Sequence, residues 1–153
     1  TNVLGIPPHR IVNMSNFVGH VLKEVQRIGF TRVLMVGHMG KFVKVAGGIF
    51  STHSKDSDAR MEIIMANLAL LGAPVELLEK VDQCITTDAA GTLIEEYHYE
   101  EVYQVMVDKM KFRSERLLRN RKPEVSIDVV TFGTEAGYLA STQTLEEIAE
   151  EWT

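Results

Sequence analysis

The chain has 153 residues, of which 45% are hydrophobic and 24% charged, and its formal net charge is −5. These values are typical of a single globular domain, residues 1–153, whose core needs neither a metal nor a disulfide. A single cysteine, Cys84, excludes a disulfide framework and predicts a reducing, cytoplasmic compartment, and no apolar run approaches the ~18 residues of a membrane span.

The N-terminal part predicts a strand, a helix and a second strand. The first strand is expected at Arg10 to Asn13, after two prolines that fix an extended backbone. The helix has an N-cap at Ser15 or Asn16 and ends at Gly29. Its apolar stripe consists of Phe17, Val18, Val21, Leu22, Val25 and Ile28. A continuous apolar strand from Arg32 to Val36 follows, so the three elements predict a right-handed βαβ unit with parallel strands.

Residues 37–58 are rich in glycine, histidine and hydroxyl side chains and predict a loop. Within it, Phe42 to Ala46 is compatible with either a strand or a helix. A helix from about Asp58 to Leu71 follows. Three residues are candidates for its N-cap: Ser54, Asp56 and Ser57. This helix is apolar on nearly every side, so we expect it to lie between two layers or at a subunit contact of a homo-oligomer.

The C-terminal half predicts two further helices, a strand and a closing helix. A short helix is expected at Val75 to Val81 and a long one from about Thr92 to Arg119, acidic in its first turns and basic in its last, as the helix dipole favours. Residues 125–132 form a β-branched strand, and Thr144 begins an acidic helix. We therefore predict an α/β fold with a mostly parallel sheet flanked by helices in three layers.

Charge is segregated along the chain. Residues 1–60 carry a net +5 and residues 109–122 a net +6, whereas residues 61–108 carry −9 and residues 123–153 carry −7. The run 109–122 is compatible with phosphate binding, but it contains one aromatic residue, Phe112, and lies at a helix C-terminus, where positive charge is stabilising. We interpret it as structural and predict no nucleic-acid partner.

The densest group of glycine and polar residues follows the strand that ends at Val36, where parallel sheets bind ligands. Its candidate cofactor- or substrate-binding residues are Gly37, Gly40, Lys41, Lys44, Thr52, Ser54, Asp58 and Arg60. Gly40 and Lys41 do not form a phosphate loop, because Met35 and Phe42 stand where that motif requires a glycine and a hydroxyl. The G-x-G-x-x-G fingerprint of dinucleotide binding is also absent after this strand.

Two histidines of this region are the candidate catalytic residues. His38 and His53 are compatible with acid–base chemistry, with donation to a carboxylate, or with a structural role in a buried polar network. A metal pair is disfavoured, so no metal ligand is predicted. Ser54 lacks a nucleophile elbow and is expected to cap a helix. Asp58 and Arg60 are two residues apart on a predicted helix and are expected to point in different directions.

Three linked elements occur in order along this region. They are Gly-His-x-Gly-Lys at Gly37 to Lys41, Thr-His-Ser at Thr52 to Ser54, and Asp-Ala-Arg-x-Glu at Asp58 to Glu62. Together with NFVGHVL at Asn16 to Leu22, they resemble the signature region of the cobalt-precorrin-5B C1-methyltransferase family (CbiD) of anaerobic cobalamin biosynthesis. The resemblance covers nearly the whole chain but only the C-terminal part of a family member, so we expect the chain to be part of a longer enzyme.

The resemblance implies transfer of a methyl group from S-adenosylmethionine to ring carbon C1 of a tetrapyrrole-derived substrate that carries carboxylates. Cobalt arrives within that substrate, so the protein needs no metal ligand of its own. In this chemistry Lys41, Lys44 and Arg60, and also Lys55, are candidates for holding peripheral carboxylates. His38 or His53 is the candidate for moving a proton as electron density shifts in the ring.

Two alternatives to an enzyme stay open. The glycine-containing loop also suits a non-catalytic module that binds a nucleotide or another anion, and the apolar helix from Asp58 to Leu71 suits an oligomerising domain.

Overall fold

The N-terminal strand predicted at Arg10 to Asn13 does not form. The structure is a computed structural model that describes residues 6–153, in which Pro8–Arg10 makes one turn of 3-10 helix. Ile11 and Val12 follow in an irregular segment and are 47% and 69% exposed. β-branched residues favour a strand only where a neighbour covers them, and no strand among the described residues pairs with this segment. The predicted βαβ unit is therefore wrong.

The first helix is confirmed, but two residues of its predicted core-facing stripe, Phe17 and Ile28, are 64% and 63% exposed. α1 spans Val18–Ile28, and its buried residues are Val18, Leu22 and Gln26. Its N-cap is Phe17, which makes no side-chain capping bond, so the caps predicted at Ser15 and Asn16 are wrong. Its C-cap is Gly29, whose φ of 113° lies in the left-handed region that glycine adopts without steric cost.

The sheet is small and mixed. It contains β1 (Arg32–His38), β2 (Ser126–Gly133) and β3 (Gly137–Ser141), in the order β1-β2-β3. β1 and β2 confirm the two apolar strands and pair in parallel, whereas β2 and β3 form an antiparallel hairpin that the sequence analysis does not include. The prediction of a mostly parallel sheet is therefore not confirmed.

The two faces of the sheet differ. Met35, Ile127 and Val129 lie on the face that packs on the main core and are fully buried. The other face carries Val36 and Phe132, which are 42% and 40% exposed. Because this second face is only partly covered, the predicted three-layer arrangement is not confirmed either.

Five helices connect β1 to β2 in a long crossover. They are α2 (Met39–Ala46), α3 (Arg60–Leu70), α4 (Val75–Asp82), α5 (Thr87–Glu96) and α6 (Glu101–Leu117). A last helix, α7 (Leu145–Trp152), follows β3, and Thr144 caps it as predicted, in a capping box with Glu147. α4 confirms the helix predicted at Val75 to Val81.

For three helical segments the structure decides or corrects details of the prediction. The segment Phe42 to Ala46, for which a strand and a helix were both possible, is part of the helix α2. α3 begins at Arg60 after Ala59, which makes no side-chain capping bond, so none of the three predicted caps is used. The long helix expected from Thr92 to Arg119 is broken into α5 and α6, because His98 adopts a φ of 61° in the turn between them.

α3 lies between other helices, as its apolar sequence predicts. It packs on α2, α4, α5 and α6, and buries Met61, Ile64 and Leu68. Leu70 at its end is 71% exposed, and the subunit contact stays a prediction. Within residues 6–153, none of the helices has the length and apolarity needed to cross a bilayer.

Candidate functional site

A cavity of about 500 Å³ opens at the carboxyl end of β1, and we call it the site cavity. It is lined by the first turns of α2, by residues 52–54 and by the start of α3. Eight predicted site residues line it: His38, Gly40, Lys41, Lys44, Thr52, His53, Ser54 and Arg60. The fold therefore brings together side chains from three separate stretches of the loop-rich region.

Lys44 is a buried cation at this cavity, with an exposed fraction of 2%. It is buried because α2 runs through the interior, between α3, α6 and the sheet. Its Nζ donates a hydrogen bond to the carbonyl oxygen of Thr52 at 3.0 Å. Among the described residues, no carboxylate oxygen lies within 4.0 Å of this Nζ. Since an ammonium carries three N–H donors, two remain for an anion in the cavity.

Arg60 reaches the cavity from the start of α3, and two partners fix its orientation. Its Nε donates to Oδ1 of Asp58 at 2.8 Å, and its Nη2 donates to the carbonyl oxygen of Ile85 at 3.0 Å. The expectation that Asp58 and Arg60 point in different directions is wrong, because Asp58 precedes the helix. The hydrogen bond from Arg60, with smaller contributions from the charges of Arg60 and Lys44, holds the pKa of Asp58 below its ordinary value.

Both α2 and the segment of residues 52–54 are hydrogen-bonded to the segment before α1. Lys41 donates from Nζ to the carbonyl oxygen of Ser15 at 3.1 Å. Thr52 donates its backbone N–H to the carbonyl oxygen of Asn16 at 3.1 Å, and its hydroxyl lies 3.4 Å from Oδ1 of Asn16. The two contacts of Thr52 with Asn16 hold the 52–54 segment in place, and the bond from Lys41 orients that side chain.

His38 caps α2 and has hydrogen bonds at both ring nitrogens. Its Nδ1 accepts from the backbone N–H of Gly40 at 2.9 Å, so in the neutral ring the proton lies on Nε2. This Nε2 lies 2.9 Å from the hydroxyl of Thr134, which in turn donates to Oδ2 of Asp88 at 2.8 Å. The chain of bonds orients the ring and leaves neither nitrogen free for a ligand.

His53 repeats half of this arrangement. Its Nδ1 accepts from the backbone N–H of Lys55 at 3.0 Å, which again places the proton of the neutral ring on Nε2. His53 is exposed, and the described residues offer no partner to its Nε2. This histidine therefore presents a free N–H donor at the cavity.

The cavity lining leaves out three predicted residues, Gly37, Lys55 and Asp58, and adds one. Asp58 accepts a hydrogen bond from Arg60, and Lys55 is exposed. Gly37 serves packing, because a Cβ there would lie 2.5 Å from the ring of Phe42. Asn16 is the addition. The resemblance over Asn16 to Leu22 points to this residue, although the helix pattern assigns it to a cap.

The arrangement is suited to a multiply charged anion. Three cationic side chains and a histidine N–H face one cavity, and no acidic residue is part of its described lining. Guanidinium and ammonium groups bind carboxylates and phosphates through charge-assisted hydrogen bonds. The described residues contain no group of three or more histidine, cysteine or acidic side chains that could hold a metal ion.

Comparison with known proteins relates the chain to one family. Residues 51–143 match the family described as CbiD, C-terminal domain. The chain is 60% identical over 151 residues to proteins named cobalt-precorrin-5B C(1)-methyltransferase from Listeria welshimeri and Listeria monocytogenes. It is 43% identical over 140 residues to the protein of that name from Clostridioides difficile.

The matches cover this chain almost completely but the relatives only in part. They include 99% of the chain and 40% of each Listeria protein, and 92% of the chain and 34% of the Clostridioides difficile protein. The chain thus spans less than half the length of the relatives that it matches. No solved structure matches it.

Proposed function

Since the chain belongs to the family of the CbiD C-terminal domain, we propose that it is the substrate-binding part of a cobalt-precorrin-5B C1-methyltransferase. In this proposal the site cavity holds peripheral carboxylates of the macrocycle, and S-adenosylmethionine supplies the methyl group to ring carbon C1. Cobalt is part of the substrate. The free thiol of Cys84 suits the reducing cytoplasm, where we place the reaction.

Lys44 is the observation that supports the proposal most strongly. Burial of an ammonium without a carboxylate partner is costly, and a hydrophobic residue of similar length would fill the space with less loss. The position of Lys44 at the cavity, with two unused donors, is explained if an anionic group of the substrate completes its hydrogen bonds. Lys41 and Arg60 place two further cations at the same cavity.

The charge of the cavity favours the substrate over the methyl donor. The sulfonium of S-adenosylmethionine is positive, so Lys41, Lys44 and Arg60 repel it, whereas they attract the carboxylates of the ring. The carboxylate of Asp58, which is the partner of Arg60, is already paired and is not part of the lining. We therefore assign the site cavity to the macrocycle and place the methyl donor outside it.

The chemical step needs orientation more than it needs a protein nucleophile. A carbon–carbon bond forms at C1 while the methyl–sulfur bond breaks, and the bonding electron pair leaves on sulfur. Alignment of two reactants contributes about 7–11 kcal/mol in favourable cases. A cavity that binds the peripheral carboxylates of the ring orients the ring and thereby fixes the position of C1.

Methyl transfer raises the charge of the ring by one, so a proton must leave it. The role of His38 or His53 in moving that proton stays a prediction. For either ring to accept a proton, Nδ1 would first have to lose the backbone N–H that it accepts. As arranged, Nε2–H of His53 is a donor, and we propose that it binds a carboxylate of the substrate.

To test the proposal, the matching 151 residues of the Listeria monocytogenes relative are replaced by this chain. The resulting chimera keeps the rest of that relative. Transfer of an isotope-labelled methyl group from S-adenosylmethionine to cobalt-precorrin-5B is followed by mass spectrometry. We expect the folded chimera to label the ring, Lys44→Met to abolish most of the labelling, and the exposed Lys55→Met to leave it unchanged. A folded chimera that binds the macrocycle without methylating it contradicts the proposal and favours the non-catalytic binding module.

A further inference from the structure

A second cavity, of about 390 Å³, lies at the C-terminal end of α6. Four arginine side chains line it, namely Arg113, Arg116, Arg119 and Arg121, and we call it the arginine cavity. We propose that it binds a small anion with at least two carboxylate or phosphate groups. This inference rests on the geometry of the arginine cavity and does not depend on the proposed methyl transfer.

The four arginines lack acidic partners. Within residues 6–153, no carboxylate oxygen lies within 4.0 Å of any of their guanidinium groups, whereas Arg27, Arg32 and Arg60 each have such a partner. The one acidic residue of the basic run, Glu115, pairs with Lys111 instead. Four like charges around one cavity repel each other, and a multiply charged anion would relieve that repulsion.

The turn that carries two of these arginines is held by the protein interior. Gln26, which is 2% exposed, donates from Nε2 to the carbonyl oxygens of Leu118 at 3.0 Å and Pro123 at 2.9 Å. The same Nε2 lies 3.4 Å from the carbonyl oxygen of Arg121. The turn includes Asn120, whose φ is 65°. The positions of the arginine backbones are therefore fixed, although their side chains are exposed.

Gly48 brings the main chain close to the cavity from the other side. It has a φ of 80°, and a Cβ there would lie 3.2 Å from Nη1 of Arg113. A side chain at this position would therefore be strained and would crowd the guanidinium group. The absence of a side chain leaves room for Arg113 to face the cavity.

Helix capping does not account for the whole arrangement. Positive charge near a helix C-terminus is stabilising, but the effect falls off within the last turn. α6 ends at Leu117, so Arg119 and Arg121 lie beyond it, and Arg113 precedes its last turn, in which Arg116 is the basic residue. A role restricted to the helix dipole gives no reason for these side chains to converge on one cavity.

The chemistry of arginine indicates the class of ligand. A guanidinium group presents a planar fork that matches a carboxylate or a phosphate with two parallel hydrogen bonds. The cavity is of a size that takes a small molecule. Phe50 lines the arginine cavity and Thr52 lines the site cavity, so the Cα atoms of these two lining residues are at most about 7 Å apart. The anion could therefore be a free polyphosphate or further carboxylates of the ligand in the site cavity.

Calorimetric titration of the chain with pyrophosphate and with tricarballylate tests the proposal and distinguishes the two sources. We expect at least one probe to bind, and the double variant Arg116→Gln/Arg119→Gln to bind it about tenfold more weakly or worse. Preference for pyrophosphate assigns the cavity to a phosphate compound, and preference for tricarballylate assigns it to an oligocarboxylate. Lys122→Gln, from the same basic run but outside the cavity, should bind the probe like the parent chain.

If circular dichroism shows that the glutamine variant is unfolded, Arg116→Lys/Arg119→Lys replaces it. Lysine keeps the positive charge at the helix end and removes only the paired N–H donors of the guanidinium group. It is expected to weaken binding as well. Failure of both probes to bind, or an unchanged affinity in a folded arginine variant, overturns the proposal. So does tighter binding of a single-stranded oligonucleotide with the same dependence on the arginines.

Discussion

The two cavities present positive charge in opposite ways. In the site cavity, each cation is already fixed by the protein: Lys44 by the carbonyl oxygen of Thr52, Lys41 by that of Ser15, and Arg60 by Asp58 and a further carbonyl. In the arginine cavity, four exposed guanidinium groups have no carboxylate partner among the described residues.

This difference has consequences for how each cavity binds. A side chain that is already ordered loses little conformational entropy on binding, whereas an exposed arginine must give up much of its rotamer freedom. We therefore expect the site cavity to select a ligand with a defined arrangement of charges. We expect the arginine cavity to accept anions of different shape with lower selectivity.

The largest expected effect is the loss of anion binding in Lys44→Met. Hydrogen bonds to a charged group contribute about 1.5–3 kcal/mol each, so affinity for a carboxylate ligand of the site cavity should fall about 10- to 100-fold. Calorimetry measures this change, and Lys55→Met, an exposed lysine outside the cavity, should leave the affinity unchanged. Because methionine fills the same space without a buried charge, thermal stability should change little. Retained affinity with lost stability would make Lys44 a structural residue.

The next largest effect is expected for a substitution of Gln26, which should weaken binding in one cavity and not in the other. Gln26→Met removes the donor shared by the carbonyl oxygens of Leu118, Arg121 and Pro123, and should reduce the free energy of unfolding by about 1–3 kcal/mol in urea denaturation. Since this amide holds the turn of the arginine cavity, binding of a small anion there should weaken. Binding in the site cavity should not change, and equal weakening in both cavities would contradict their independence.

A smaller effect is expected at the two histidines. His38→Ala removes the N-cap of α2 and should cost about 0.5–2 kcal/mol of stability in thermal unfolding. His38→Asn keeps a capping oxygen and should recover most of that loss.

His53→Ala should leave stability unchanged and weaken ligand binding, because His53 is exposed and its Nε2 is free. Destabilisation by His53→Ala as large as by His38→Ala would mean that both histidines are structural.

The smallest effect is a change in the pKa of Asp58. Its pKa is lowered mainly by the hydrogen bond from Arg60, so this pair stabilises the fold above the unfolded carboxyl pKa of about 4 and loses that contribution as pH falls through the lower folded value. Arg60→Gln should return the pKa of Asp58 toward its ordinary value in an NMR titration. Glu24, whose pKa is lowered by Arg27, should titrate as before. An unmoved Asp58 pKa would show that Arg60 does not hold this carboxylate in solution.

Much of the site could be predicted from the sequence because it lies within one local stretch. Glycines, histidines and cations after an apolar strand indicate a ligand site at its carboxyl end, and the cavity forms there. The sequence pattern does not predict that the side chain of Lys44 is buried. Lys44 lies in the segment Phe42 to Ala46, which fits a strand or a helix equally well, and its burial depends on α6 packing from 60 residues further along the chain.

The incorrect predictions about the fold have a similar cause, because they too concern features that depend on distant parts of the chain. The break between α5 and α6 occurs at His98, where neither glycine nor proline indicates a turn, and the extended residues near Ile11 resemble a strand but lack a neighbour. The arginine cavity needs three distant segments, those of Gly48, Gln26 and the end of α6. Composition alone favours a structural interpretation of the basic run, and only its three-dimensional arrangement indicates a site.

The central claim is that the site cavity recognises the carboxylates of a tetrapyrrole-derived ring through Lys44. The most direct measurement is calorimetric titration of the chain with a cobalt corrinoid that carries free carboxylates, compared with its fully esterified form. The free acid should bind, the ester should not, and Lys44→Met should lose binding of the acid while Lys55→Met retains it. Equal binding of acid and ester, or binding of the acid that Lys44→Met leaves intact, would contradict the claim.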